Sequence, residues 1–123
     1  MQVLWVGVGG FAGAIARYGL SGWVSRVAGG AFPWGTFAVN ASGSFVLAAV
    51  FTALTERALP HPMLRTALAV GFLGAFTTFS TFAFETVRLL EDGALALAAA
   101  NVGGSVAACL AGVYGGMWLG RTM

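Results

Sequence analysis

The chain has 123 residues, of which 59% are hydrophobic and 8% charged, and its mean hydropathy is +0.87. A soluble domain of this size could not hide that much apolar surface, so the composition describes a single membrane-embedded domain, residues 1–123. The net charge of +2 comes from six scattered arginines and no lysine against four acids, which excludes a nucleic-acid-binding stripe.

A bilayer core about 30 Å thick needs roughly 20 apolar residues per helix. The charge-free intervals provide four such spans. Residues 1–24 form the first, interrupted by Arg17, and read as a retained helix rather than a cleaved signal peptide. Its Gly9, Gly10, Gly13 and Ala14 make overlapping small-xxx-small patterns, which let membrane helices approach closely. Arg17 has two readings: a side chain snorkelling to the interface, or an anion-attracting vestibule.

Residues 27–55 carry no charge, and a helix is predicted to start near Pro33–Gly35. Thr36, Asn40 and Ser44 share one helical face. Asn40 is read either as an interhelical hydrogen bond or as a pore-lining amide whose N–H donors meet an anion.

Residues 66–84 form the third span. It holds Thr77, Thr78, Ser80 and Thr81, interleaved with Phe72, Phe76, Phe79 and Phe82. Lipid offers hydroxyls no partners, so such a cluster lines a path or packs on another helix. Gly71, Gly74 and the hydroxyl residues weaken the helix, and a break near Gly74–Thr78 would free carbonyls able to bind a cation. Phe79 and Phe82 share a face, and their positive ring edges can face a small anion, although such stripes also serve packing.

Residues 93–120 are the fourth span, with Asn101, Ser105 and Cys109 on one stripe. The stripe serves either as helix glue or as a pathway wall. The lone Cys109 excludes an intrachain disulfide and argues against a metal site. Glu85 reads as an interfacial charge or an arginine's partner, and His61 as a loop residue. No catalytic constellation is present, so the chain is not read as an enzyme.

Short loops predict antiparallel neighbours, with both termini on one side of the membrane. Trp5 and Trp118 would then mark one interface, and Trp23 and Trp34 the other. Arg57, Arg65 and Arg121 fall on one side and Arg26 and Arg88 on the other, too even a split to fix orientation. Either other signals orient the chain, or it inserts both ways and pairs antiparallel with itself.

Three segments together resemble the CrcB/Fluc family of fluoride channels. They are Gly9-Gly10-Phe11-Ala12-Gly13-Ala14 with Arg17-Tyr18; Gly35-Thr36-Phe37-Ala38-Val39-Asn40-Ala41-Ser42-Gly43-Ser44-Phe45; and Gly71-Phe72-Leu73-Gly74-Ala75-Phe76-Thr77-Thr78-Phe79-Ser80-Thr81-Phe82. The resemblance covers essentially the whole chain. It implies an all-α membrane protein of four transmembrane helices with a broken third helix, assembled as an antiparallel, dual-topology homodimer with two pores. It implies passive export of fluoride across the plasma (inner) membrane, fluoride having entered as the weak acid. Phe79 and Phe82 would contact fluoride, Asn40 would be the pore amide, and Ser80, Thr81 and Ser105 would line a polar track. Arg17 would stand at the vestibule, and the carbonyls of Gly74 and Thr77 would hold a structural sodium ion at the dimer centre. Asn101 and Cys109 fall on the stripe of Ser105. The competing readings are a small multidrug-type transporter and an assembly subunit without transport. The first lacks the carboxylate it would need in residues 1–24.

Overall fold

The computed structural model describes residues 1–56 and 61–123, and Arg57 of the orientation argument lies outside the described residues. Helix α1 (Gln2–Ala28) ends at Gly29, whose φ of 64° suits a residue without a side chain. Helix α2 (Trp34–Glu56) begins just after Pro33, inside the predicted Pro33–Gly35 window. Helix α3 (residues 62–76) opens with Pro62 in its first turn, widens into π-helical turns over Thr66–Leu73, and closes with one α turn, Gly74–Phe76. Thr77 and Thr78 are extended. Helix α4 (Phe79–Glu91) follows, and Gly93 at φ 77° turns the chain into α5 (Leu95–Thr122).

Four helical stretches are long and apolar enough to cross a membrane: Gln2–Ala28, Trp34–Glu56, Pro62–Glu91 and Leu95–Thr122. Among the described residues there is no strand. The chain is a multi-pass membrane protein, all-helical over the described residues. The third span is longer than the predicted 66–84 at both ends. Arg65, Glu85 and Arg88 remain helical there, and a criterion based on absence of charge stops short of them.

Small residues make up much of the interior, and many large ones lie outside. Ala48, Ala49, Ala53, Ala69 and Ala98 are buried beside Val39, Leu73, Phe76 and Leu89, while Val8, Phe11, Ile15, Leu110 and Tyr114 are exposed. Lipid tails are as apolar as leucine, so burying large side chains between membrane helices gains little, and close packing of backbones gains more.

Two glycine seams set the register. A Cβ at Gly9 would strike the carbonyl of Ala67, and one at Gly13 the carbonyl of Phe72, so α1 and α3 run parallel in contact. Gly71 sits in the same seam, against the backbone of Val6 and Gly9. In the second seam, Gly112, Gly116 and Gly120 of α5 face the backbone of Ala41, Phe45 and Ala49 of α2, again parallel. Gly35 packs on Ser21 and Ser25, which closes α1 and α2 into an antiparallel hairpin. Direction therefore alternates from span to span. At one end, Arg121 Nε donates to Glu56 Oε1 at 3.3 Å, the one salt bridge among the described residues.

Candidate functional site

The site is organised by the extended residues between α3 and α4. Thr77 has φ −90° and ψ 157°, and Thr78 has φ −150° and ψ 118°. An extended pair inside an apolar span leaves backbone groups that lipid cannot satisfy. Side chains from two other helices meet this need. The Thr78 N–H donates to Asn40 Oδ1 at 2.7 Å, and Asn40 Nδ2 donates back to the Thr78 carbonyl at 2.9 Å. Arg17 Nε of α1 donates to the Ala75 carbonyl at 3.0 Å. Thr78 Oγ1 caps α4, accepting from the Thr81 N–H at 3.2 Å, and lies 3.3 Å from Ser80 Oγ. Gly43 of α2 makes room, because a Cβ there would strike the Thr77 methyl group.

These bonds redirect two amide groups. The Thr78 N–H goes to Asn40 and not to the Gly74 carbonyl four residues back. The Thr81 N–H goes to the cap hydroxyl and not to the Thr77 carbonyl. The Gly74 and Thr77 oxygens are thereby released from the helical ladder, while Thr77 itself still bonds the Leu73 carbonyl through N–H and Oγ1.

Beside the extended pair lies a cavity of about 280 Å³. Asn40, Ser44 and Leu47 of α2 form one wall, Thr77, Thr78, Phe79 and Phe82 another, and Ser105, Val106 and Cys109 of α5 the third. No lining residue carries a formal charge. The Phe79 and Phe82 rings stand 5.6 Å apart at 49°, a tilted pair that turns edges as well as faces to its surroundings. Phe79 is 79% exposed, so this side of the cavity opens outward from the chain.

A line of hydrogen bonds leads away from the cavity. Ser105 Oγ donates to Asn101 Oδ1 at 3.2 Å, Asn101 Nδ2 to Thr86 Oγ1 at 2.9 Å, and Thr86 Oγ1 to the Phe82 carbonyl at 2.8 Å. Asn101 is 1% exposed, so its amide depends on these partners. Thr86 was not among the residues singled out by sequence. Its signal was its place four residues beyond Phe82, on the same helical face.

Asn40, Phe79, Phe82 and Ser105 thus come together around one cavity, with Cys109 beside them. Ser80 and Thr81 sit in the first turn of α4 and bond to Thr78. Arg17 is tied to the Ala75 carbonyl just before the extended pair, in the turn that Gly74 opens and Thr77 follows. Glu85 Oε1 is buried without a hydrogen-bond partner, and among the described residues its carboxylate pairs with no arginine. Glu85 and Arg88 line a second, more polar cavity of about 410 Å³ with the α1–α2 turn.

Residues 4–117 match the family model described as CrcB-like protein, Camphor Resistance (CrcB). Curated relatives share the match at nearly full length. The fluoride-specific ion channel FluC of Geotalea uraniireducens (strain Rf4) is 52% identical over 118 residues, 96% of this chain and 92% of the relative. Proteins of the same name from Geotalea daltonii and Geobacter sulfurreducens are 49% and 47% identical, covering 96% and 98% of this chain and 92% and 98% of their own lengths. The chain belongs to the CrcB-like protein family.

Proposed function

We propose that this chain is a fluoride-selective ion channel of the plasma (inner) membrane, which exports fluoride by passive conduction. The observation that carries this reading is the uncharged cavity where the Phe79–Phe82 pair, the Asn40 amide and the Ser105 hydroxyl converge. Relatives at 46–52% identity named fluoride-specific ion channels support it.

Fluoride is small and strongly hydrated, so a pore must replace its water with donors and oriented dipoles. Positive ring edges, amide N–H groups and hydroxyls do this without a fixed charge that would hold the ion too tightly. Asn40 spends one N–H on the Thr78 carbonyl and keeps a second for the pathway. Ser80 and Thr81 extend the polar track along α4. Arg17 concentrates anions at the vestibule while bracing the Ala75 carbonyl.

The working unit is an antiparallel, dual-topology homodimer with a broken third helix in each copy. The outward-facing Phe79 supports this, since a ring exposed in one chain needs a second surface to complete the pore wall. A structural sodium ion at the dimer centre fits the residues present. The released carbonyls of Gly74 and Thr77 are hard oxygen donors, suited to an alkali cation. When bound, the ion supplies fixed positive charge inside the membrane.

The test is fluoride efflux from liposomes holding the purified protein, against chloride in parallel. Release of fluoride without chloride is the expected result. Equal release of both, or of neither, would refute the reading.

A further inference from the structure

Ser105 is the cavity hydroxyl on α5, yet its single proton points away from the cavity. It donates to Asn101 Oδ1, and the chain ends at the Phe82 carbonyl, which can only accept. In this arrangement Ser105 shows lone pairs to the cavity, the wrong polarity for an anion.

The same heavy-atom positions permit a second arrangement. An asparagine amide has nearly equal shape at its oxygen and nitrogen ends, and turning it over exchanges acceptor for donor. With the Asn101 amide reversed, its NH₂ donates to Ser105 Oγ, and its oxygen accepts from Thr86 Oγ1. The Ser105 O–H is then free to enter the cavity. Every side chain in the line keeps a partner. The Phe82 carbonyl loses only the Thr86 hydroxyl and remains within the backbone ladder of α4. No volume changes, which matters at a residue 1% exposed.

Resting on the fluoride-pore reading, we propose that Asn101 is a positioning residue: its amide turns over when fluoride enters, and so presents the Ser105 O–H to the ion. A ligand shifts such an equilibrium because it binds one arrangement better than the other. Fluoride binds the donating hydroxyl and is repelled by the lone pairs. Thr86 completes the device, since it can accept from the amide in one arrangement and donate to it in the other. Aspartate at 101 could only accept, and would hold the Ser105 proton away from the cavity.

The chain has two asparagines, Asn40 and Asn101, so protein labelled with ¹⁵N at asparagine side chains gives two NH₂ signals. They are assigned with Asn101→Leu and titrated with sodium fluoride, with sodium chloride in parallel. The Asn101 signal is expected to shift saturably with fluoride and not with chloride. It should stop responding in Ser105→Ala and keep responding in Thr86→Ser. Efflux should fall about tenfold in Asn101→Asp, the worth of one well-placed hydrogen bond. If the Asn40 signal responds to fluoride in the wild-type protein while that of Asn101 stays fixed, the inference is overturned and the pore reading stands. Liposomes that release no fluoride overturn both.

Discussion

Asn40 and Thr78, 38 residues apart, close a reciprocal pair of hydrogen bonds at 2.7 and 2.9 Å. One side-chain amide replaces both backbone partners of an extended residue. The oxygen must accept and the nitrogen must donate, so asparagine is not interchangeable with aspartate here. Asn40→Asp turns the Nδ2 donor into an oxygen facing the Thr78 carbonyl, and places negative charge on the cavity wall. Efflux is expected to be lost. Stability should fall by about 1–3 kcal/mol, the range for leaving a buried polar group unpaired. Liposome flux and thermal melting of the purified protein check the two effects separately, and unchanged flux would remove Asn40 from the pathway.

Phe79→Ile and Phe82→Ile keep much of the bulk but remove the ring edges. Each is expected to lower fluoride efflux by about two- to tenfold, since an aromatic contact is worth about 0.5–1.5 kcal/mol beyond its area and 1.4 kcal/mol is tenfold. Phe79 is mostly exposed in the single chain, so its substitution should leave the chain's own fold unchanged. Normal conduction in both variants would make the rings packing elements only.

The spans were legible because charge is so rare that its positions mark where helices leave the membrane. The same rule misjudged the third span, since Glu85 and Arg88 stay helical, and it thereby hid Thr86. The Asn101–Ser105 pair could be read from its spacing of four, and the structure joins the two side chains directly. The partner of Asn40 could not be read, because a bond to backbone 38 residues away leaves no periodic trace. Gly9 and Gly13 announced a seam, whereas Gly116 and Gly120, which continue the seam begun by Gly112, were not picked out.

That seam gives a contrast within one helix. A Cβ at Gly116 would strike the Phe45 carbonyl, while one at Gly103 meets nothing within 4 Å. Gly116→Ala must push backbone from backbone, and should destabilise by about 1–3 kcal/mol as overpacking does. Gly103→Ala should instead be neutral or stabilising by up to about 1 kcal/mol, through helix propensity. Thermal unfolding in one detergent compares the two. Equal effects would show that α2 and α5 have slack that the contact at Phe45 denies.

Arg65 and Arg121 lie at one end of the bundle and Arg26 and Arg88 at the other, and Arg57 adds one charge to the first group in sequence. Loop arginines and lysines set membrane orientation, and acids such as Glu56 beside Arg121 contribute little. A balance this even should let the chain insert both ways, so a tag on Met123 should be reachable from both sides, in intact cells and in inverted vesicles. Two or three lysines added near Met123 should drive the population to one orientation. If the pore needs an inverted partner to cover Phe79, the biased variant alone should lose fluoride efflux. Coexpression with a variant biased the other way, by lysines near Gly30, should restore it. Restoration without any change in the residues of the cavity would separate a need for an inverted partner from damage to the site. A wild-type Met123 tag found on one side only would contradict the antiparallel dimer, and with it the central sodium ion that two inverted third helices would share.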